Sequence, residues 1–335
     1  MYVGTFGHEV WKVPVNFAQK RSGAAENLIY GHYAPLFKDN NEAWGLSIVP
    51  KKDQVVTVSD DSTLRVWDLT SHKMVRCVSL LEDAKGNPIA KDTATKENSK
   101  GTMGRSVDVS PSGAHCAVGL RDGSLRVYNT SNWKMIYLKK ISKEWIEDLK
   151  FSPDGQYLAV GSHDNKIYLY QVQNFKFVKK FGVSSSFITH IDWSQDSQAI
   201  RTNDGSYEIL YYSIPDGTQV KSGASNYRNE IWATQSCVLA WPMQGVWQPG
   251  QDGSDINHAD RSCGPLPNGQ EIVATANDDG QIKLYRYPSV QEGSAFTPLI
   301  GHSSHVTKVR FTPRNNYLFS LGGNDTSVMQ WKVTP

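Results

Sequence analysis

The stretch FSPDGQYLAVGSHDNKIYLY, from Phe151 to Tyr170, decides the fold. It holds the end of one strand, a Pro-Asp-Gly turn, an alternating strand YLAVGS from Tyr157, a tight turn at Asp164 and Asn165, and a third strand ending on Tyr170. Short alternating runs split by Gly, Asp and Asn are strands of an antiparallel meander with one buried face. Outward from this unit, the pattern recurs along the whole chain. Asp164 precedes Tyr170 by six residues, and the same interval joins Asp61 to Trp67, Asp122 to Tyr128, Asp279 to Tyr285 and Asp325 to Trp331. SYEILYYSI from Ser206 keeps the strand with a shifted interval, and EVWKV from Glu9 keeps the aromatic without the Asp.

Second strands precede these copies at VVTVS (Val55), CAVGL (Cys116), IVATAN (Ile272) and YLFSLGG (Tyr317). Inner strands precede them in turn at WGLSI (Trp44), SVDVS (Ser106), HIDWS (His190) and KVRFTP (Lys308). Repeated four-strand units are the blades of an all-β, WD40-type β-propeller. Counting strands predicts seven blades, the first without its inner strand and the last without its outer one. The expected division is a partial blade over 1–30, blades over 31–83, 105–144, 145–183, 184–225, 226–300 and 301–335, and a polar insertion over 84–104. Because an open blade leaves unpaired edges, the count also predicts that Met1 is not the native start and that the chain is a piece of a longer protein.

The WD blade has a local polar logic: a His ahead of the inner strand, a hydroxyl in the second, the turn Asp and the indole of the third share hydrogen bonds. His32, Thr57, Asp61 and Trp67 fill all four places. His302, Asp325 and Trp331 fill three, with Leu321 expected where the hydroxyl belongs.

Composition excludes several classes. The chain has 335 residues, with 35 Lys+Arg against 33 Asp+Glu, so a net charge of +2 gives no global drive toward nucleic acid or anionic membrane. The N-terminus has no signal-peptide pattern, and no apolar run is long enough for a membrane helix. Cys77, Cys116, Cys237 and Cys263 form no CxxC pair and read as reduced, buried thiols. P-loop, GxSxG and HExxH motifs are absent, so neither catalysis nor a cofactor or metal is expected.

These residues resemble the echinoderm microtubule-associated protein-like family, specifically the second propeller of its tandem atypical propeller domain. The likeness lies in YVGTFGHEVW from Tyr2, GSHDNKIYLY from Gly161, SSFITHIDWS from Ser185, DGSYEILYY from Asp204, GHSSHVTKVRF from Gly301 and GGNDTSVMQW from Gly322. Most specific is EIWATQSCVLAWPMQGVWQPGQDGSDINHADRS, from Glu230 to Ser262. The resemblance implies microtubule association and cytoskeletal organisation, within cilia or axonemes in some members. Implied partners are tubulin and microtubules, contacted directly or through the rest of the protein, other cytoskeletal or axonemal proteins, and an upstream propeller. The implied location is the cytoplasm and its microtubules. A coiled coil and a hydrophobic motif that family members place upstream are not within these residues.

Two surfaces are candidates for contact. Lys139, Lys140 and Lys143 follow one predicted outer strand and Lys176, Lys179 and Lys180 the next, forming a basic rim complementary to acidic tubulin; edge-strand lysines that block aggregation are the plainer reading. The irregular loop with Trp241, Trp247, Asp252 and Asp255 is either a binding surface or packing against the upstream propeller. The rival function is substrate receptor of a ubiquitin ligase, but Trp67, Asp68, Leu69 and Thr70 lack the Arg of the usual docking motif.

Overall fold

The computed structural model describes residues 1–4, 10–16, 21–22, 26–29, 31–32, 41–82 and 102–334. Most of the predicted insertion over 84–104 lies outside the described residues. Six antiparallel sheets stand as blades around a central channel. Blade 1 is β6 (Ala43–Val49), β7 (Gln54–Ser59), β8 (Thr63–Asp68) and β9 (Met74–Ser79); blade 2 is β10 (Gly104–Val109), β11 (His115–Leu120), β12 (Ser124–Asn129) and β13 (Lys134–Lys140). Blade 3 is β14 (Ile146–Phe151), β15 (Tyr157–Ser162), β16 (Ile167–Gln171) and β17 (Lys176–Phe181); blade 4 is β18 (Ile188–Trp193), β19 (Ala199–Asp204), β20 (Ile209–Ser213) and β21 (Thr218–Gln219). Blade 5 is β22 (Ile256–Arg261), β23 (Glu271–Asn277), β24 (Gln281–Tyr287) and β25 (Phe296–Ile300), and blade 6 is β26 (Val306–Phe311), β27 (Tyr317–Gly322) and β28 (Val328–Lys332). Residues 1–30 contribute β1 (Tyr2–Gly4), β2 (Val10–Lys12) and β5 (Glu26–Ile29) to a separate three-stranded sheet, and β3 (Val15–Asn16) pairs with β4 (Arg21–Ser22).

Six blades, and not the predicted seven, therefore make the ring among the described residues. The reason is visible where it closes. Thr307 Oγ1 donates to the Ala43 carbonyl at 2.8 Å and Ala43 N donates to the Gly323 carbonyl at 3.1 Å. Ala43, Leu46 and Val55 of blade 1 share a buried cluster with Phe319 and Leu321 of blade 6. Blades 6 and 1 are thus direct neighbours, with no sector between them for a blade begun by residues 1–30. Burial of such inter-blade apolar surface, at roughly 25 cal/mol per Å², is the main force holding the ring.

All six inner strands carry the same irregularity. The register against the second strand slips by one residue at Trp44, Arg105, Glu147, Thr189, Asn257 and Thr307. Each is a β-bulge, which re-aims a side chain, and all six bulged residues line one cavity at the channel mouth.

The junction of blades 4 and 5 differs from three others. In blades 2, 3 and 5 an inner-strand Asp accepts a backbone N–H from the next blade's inner strand: Asp108 from Phe151 at 2.9 Å, Asp148 from Ile191 at 2.9 Å, Asp260 from Phe311 at 2.7 Å. Asp192 of blade 4 instead takes Ser236 N at 2.7 Å and Cys237 N at 3.0 Å, from the segment ahead of blade 5. That segment is wedged between blades 4 and 5, where Cys237, Val238, Ala240, Met243 and Val246 pack on Ile256, Val273 and Tyr285. Cys116 and Cys237 are buried, but Cys77 and Cys263 are exposed, correcting the expectation that all four would be buried. Among the described residues no helix is long and apolar enough to cross a membrane.

Candidate interaction surfaces

Two blades carry the polar WD network. In blade 1, the His32 ring meets Asp61 Oδ2 and Thr57 Oγ1, each at 2.8 Å, and Trp67 Nε1 donates to Thr57 Oγ1 at 2.8 Å. Burial pushes the Asp61 carboxyl up, but His32 and Arg65 outweigh it and hold it down at about 2. Blade 6 repeats the set through Ser320: His302 Nε2 to Ser320 Oγ is 2.7 Å, His302 Nδ1 to Asp325 Oδ2 is 3.0 Å, and Trp331 Nε1 to Ser320 Oγ is 2.8 Å. The hydroxyl place is therefore occupied, and Leu321 is a buried core residue one position further on. Trp67 pairs with Val55 and Trp331 with Leu318, so Thr57 and Ser320 hold equivalent register positions. The turn before Asp325 is one residue longer than that before Asp61, so counting back from the Asp reaches Leu321.

Blades 2 and 3 abandon the network in a consistent way. Tyr128 pairs with Cys116 and Tyr170 with Leu158, so Val118 and Val160 stand where Thr57 stands in blade 1. Donor and hydroxyl have changed together, and in blade 2 the buried Tyr128 hydroxyl has no hydrogen-bond partner among the described residues.

The sequence-predicted basic residues lie on the rim of blades 2 and 3. Lys139, Lys140, Lys143, Lys176, Lys179 and Lys180 are all exposed. Lys180 pairs with Asp164 at 2.8 Å and lies over the Tyr168 ring, and Lys179 donates to the Asp216 carbonyl at the blade 4 edge. Sequence reasoning missed the apolar part of this surface: Ile136 and Leu138 on β13, with Phe177 and Val178 on β17, are also exposed. Lys150 is no part of the rim, because it points inward and binds both carboxylate oxygens of Asp148 at 2.9 and 3.0 Å.

In the inserted loop, Trp247 donates to the Val238 carbonyl at 3.2 Å and packs on the wedge cluster. Trp241 is exposed, with the Arg228 guanidinium over its ring. Asp252 Oδ1 caps Ser254 N at 2.7 Å, and Asp255 Oδ2 accepts Asp252 N at 2.8 Å, so both carboxylates serve the local turn. Blade 6 ends at β28, whose outer edge pairs with no described strand. An apolar groove flanks each side of it, one lined by Leu284, Phe296 and Trp331 and the other by Trp67, Phe319 and Val328.

A closed ring of WD-type blades with a charged and apolar rim is the architecture of a propeller that works by contact. The family model "Echinoderm microtubule-associated protein second beta-propeller" matches residues 43–333, which span all six blades, and the chain belongs to that family. It is 36% identical over 296 residues to the ciliary WD repeat-containing protein ctxp80 of Euplotoides octocarinatus, covering 88% of this chain and 40% of that protein. Echinoderm microtubule-associated protein-like 3 of Mus musculus is 36% identical over 90% of this chain and 31% of its own length. Echinoderm microtubule-associated protein-like 1 of Rattus norvegicus is 34% identical over 93% of this chain and 36% of its own. The chain therefore spans between 31% and 40% of the length of these relatives.

Proposed function

We propose that this chain is a non-enzymatic protein-interaction propeller that contributes to microtubule-based organisation in the cytoplasm or the axoneme. The observation that carries the reading is the family match over all six blades, and the relatives' names attach it to microtubules and cilia. The rim of blades 2 and 3 suits an acidic protein lattice: exposed lysines give long-range attraction, and Ile136, Leu138, Phe177 and Val178 give area to bury on contact. The open edge of β28, with a groove on each side, suits docking of an upstream propeller in a longer protein. Trp241 in the inserted loop is a second contact for that neighbour.

Microtubule co-sedimentation tests the rim. Combined Lys139→Glu, Lys140→Glu, Lys179→Glu and Lys180→Glu should weaken pelleting by about tenfold or more, mostly at low salt. Unchanged pelleting by a folded variant removes the rim from the account.

A further inference from the structure

The cavity at the channel mouth brings charged and amide side chains together: Arg105, Glu147, Asn203, Asp204 and Lys308. It has a volume near 290 Å³ and extends from the six bulged residues to the wedge. Its polar groups are incompletely satisfied. Arg105 Nε, Asn203 Nδ2 and Asp204 Oδ2 have no hydrogen-bond partner among the described residues, and their side chains are 5%, 1% and 3% exposed. Each is otherwise fixed: Arg105 pairs through Nη2 with Asp60 at 3.6 Å, which leaves Nε free, and lies between the rings of Trp44 and Trp145 at 4.3 and 4.6 Å, Asn203 Oδ1 accepts Leu239 N, and Asp204 Oδ1 accepts Ser206 N and Glu208 N. A buried polar atom left without a partner costs about 1–3 kcal/mol, so three on one cavity point to a group that completes them.

Lys308 adds a charge to the same cavity. It makes no hydrogen bond or ion pair among the described residues, whereas the other inward-pointing cations are paired: Lys150 with Asp148, Arg201 with Asp192, Arg310 with Asp260. Burial, together with Lys150 and Arg310, lowers the Lys308 ammonium against the pull of Asp148 and Glu147. The nearby acid Glu147 is engaged by His163 at 3.0 Å.

We propose that the channel mouth binds an acidic peptide segment, with a side-chain carboxylate on Lys308 and Arg105 and backbone amide groups on Asn203 and Asp204. A peptide offers what the cavity lacks: an anion for Lys308 and Arg105 Nε, a carbonyl for Asn203 Nδ2 and an N–H for Asp204 Oδ2. Trp44, Phe187 and Leu239 supply apolar wall for the side-chain stem. Asp204 and Glu147 discriminate against a free inorganic anion, which offers no donor to offset them. The inference rests on the microtubule reading only in its choice of an acidic protein partner.

Binding of a fluorescent oligo-glutamate peptide to the folded chain tests it, with an oligo-glutamine peptide as control. The glutamate peptide should bind better at low salt, Lys308→Met should weaken it by about tenfold, and Lys308→Arg should restore it. Lys308→Met removes an unpaired charge from a half-buried side chain, so it should keep its fold, checked by thermal melting. The rim variant with four lysines reversed should keep most of the Lys308-dependent binding. Equal binding of both peptides, or indifference to Lys308→Met, overturns the inference. Pelleting with microtubules without peptide binding defeats this site alone. Peptide binding without pelleting defeats the microtubule reading alone.

Discussion

Two junctions of the ring solve the same problem differently. Blades 6 and 1 lie side by side, each with a His, a hydroxyl, an Asp and a Trp joined by hydrogen bonds, and Thr326 Oγ1 of blade 6 reaches the His32 carbonyl at 3.1 Å. Blades 4 and 5 touch directly where His190 Nε2 meets the Asn257 carbonyl at 3.0 Å, and elsewhere are held apart by the wedge anchored on Asp192. Closure of the ring thus combines a shared apolar cluster with two blades that each carry their own polar network, while the irregular junction adds one buried carboxylate to its apolar wedge. The difference teaches where the molecule should tolerate change. A distributed network loses one bond at a time, but a single ionic anchor fails all at once.

The largest effect should come from the anchor. Asp192 is fully buried, pairs with Arg201 at 3.0 Å and holds Thr234, Ser236 and Cys237. Asp192→Ala strands the buried Arg201 charge and should cost about 3–5 kcal/mol in urea denaturation. A loss under about 1 kcal/mol would mean that the wedge is held by its apolar cluster.

Acid comes next, and it too acts at the irregular junction. Burial, with Lys308 nearby, holds His190 down at about 4, against 6.5 for an unperturbed histidine. His258 beside it is also held well below the usual histidine range by burial, with Lys308 and Arg310 nearby. The unfolded chain binds these protons below about pH 6.5, so the stabilisation is complete above that value. It is lost as pH falls toward 4, by about 3 kcal/mol from His190 alone. Asp61 near the closure behaves separately: its stabilisation is complete above about pH 4 and is lost as pH falls from there toward about 2. Hydrogen exchange between pH 7 and 4 should therefore show the blade 4 and 5 junction loosening before the closure, and the reverse order would break the comparison.

Smaller effects sharpen the network account. Thr57→Val and Ser320→Ala should each cost about 1–3 kcal/mol, because a His ring and an indole N–H lose their shared partner. Val118→Thr in blade 2 should also destabilise by about 1–3 kcal/mol, since no Trp stands opposite to donate to the hydroxyl. Thermal melting of the three proteins checks this, and a stabilising Val118→Thr would show that the networks transfer freely between blades.

Much of this was legible in the sequence, for reasons that also define what was not. The strands could be read because a half-buried strand alternates over a few residues, a local property. The number of blades could not, because it depends on Thr307 meeting Ala43 across the whole ring. Ser320 was missed because the turn after it is one residue longer, although the pairing of Trp331 with Leu318 identifies it at once. Lys150 lies on an inner strand and points inward, unlike the rim lysines, because strand order within a blade decides which lysines face solvent. The channel mouth did leave a trace: Ile146-Glu147-Asp148-Leu149, Ile188-Thr189-His190-Ile191 and Val306-Thr307-Lys308-Val309 each put two polar residues where alternation allows one, marking the bulge. The exposed apolar residues of the rim left none, because an edge strand and a covered strand share the same alternation.

The most direct test of the central claim is a density map of this protein on the microtubule lattice, read for which part of the ring faces tubulin. The account predicts the rim of blades 2 and 3 against the lattice, with Lys139, Lys140, Lys179 and Lys180 at the contact. A map with that rim in solvent and another sector on the lattice would contradict it.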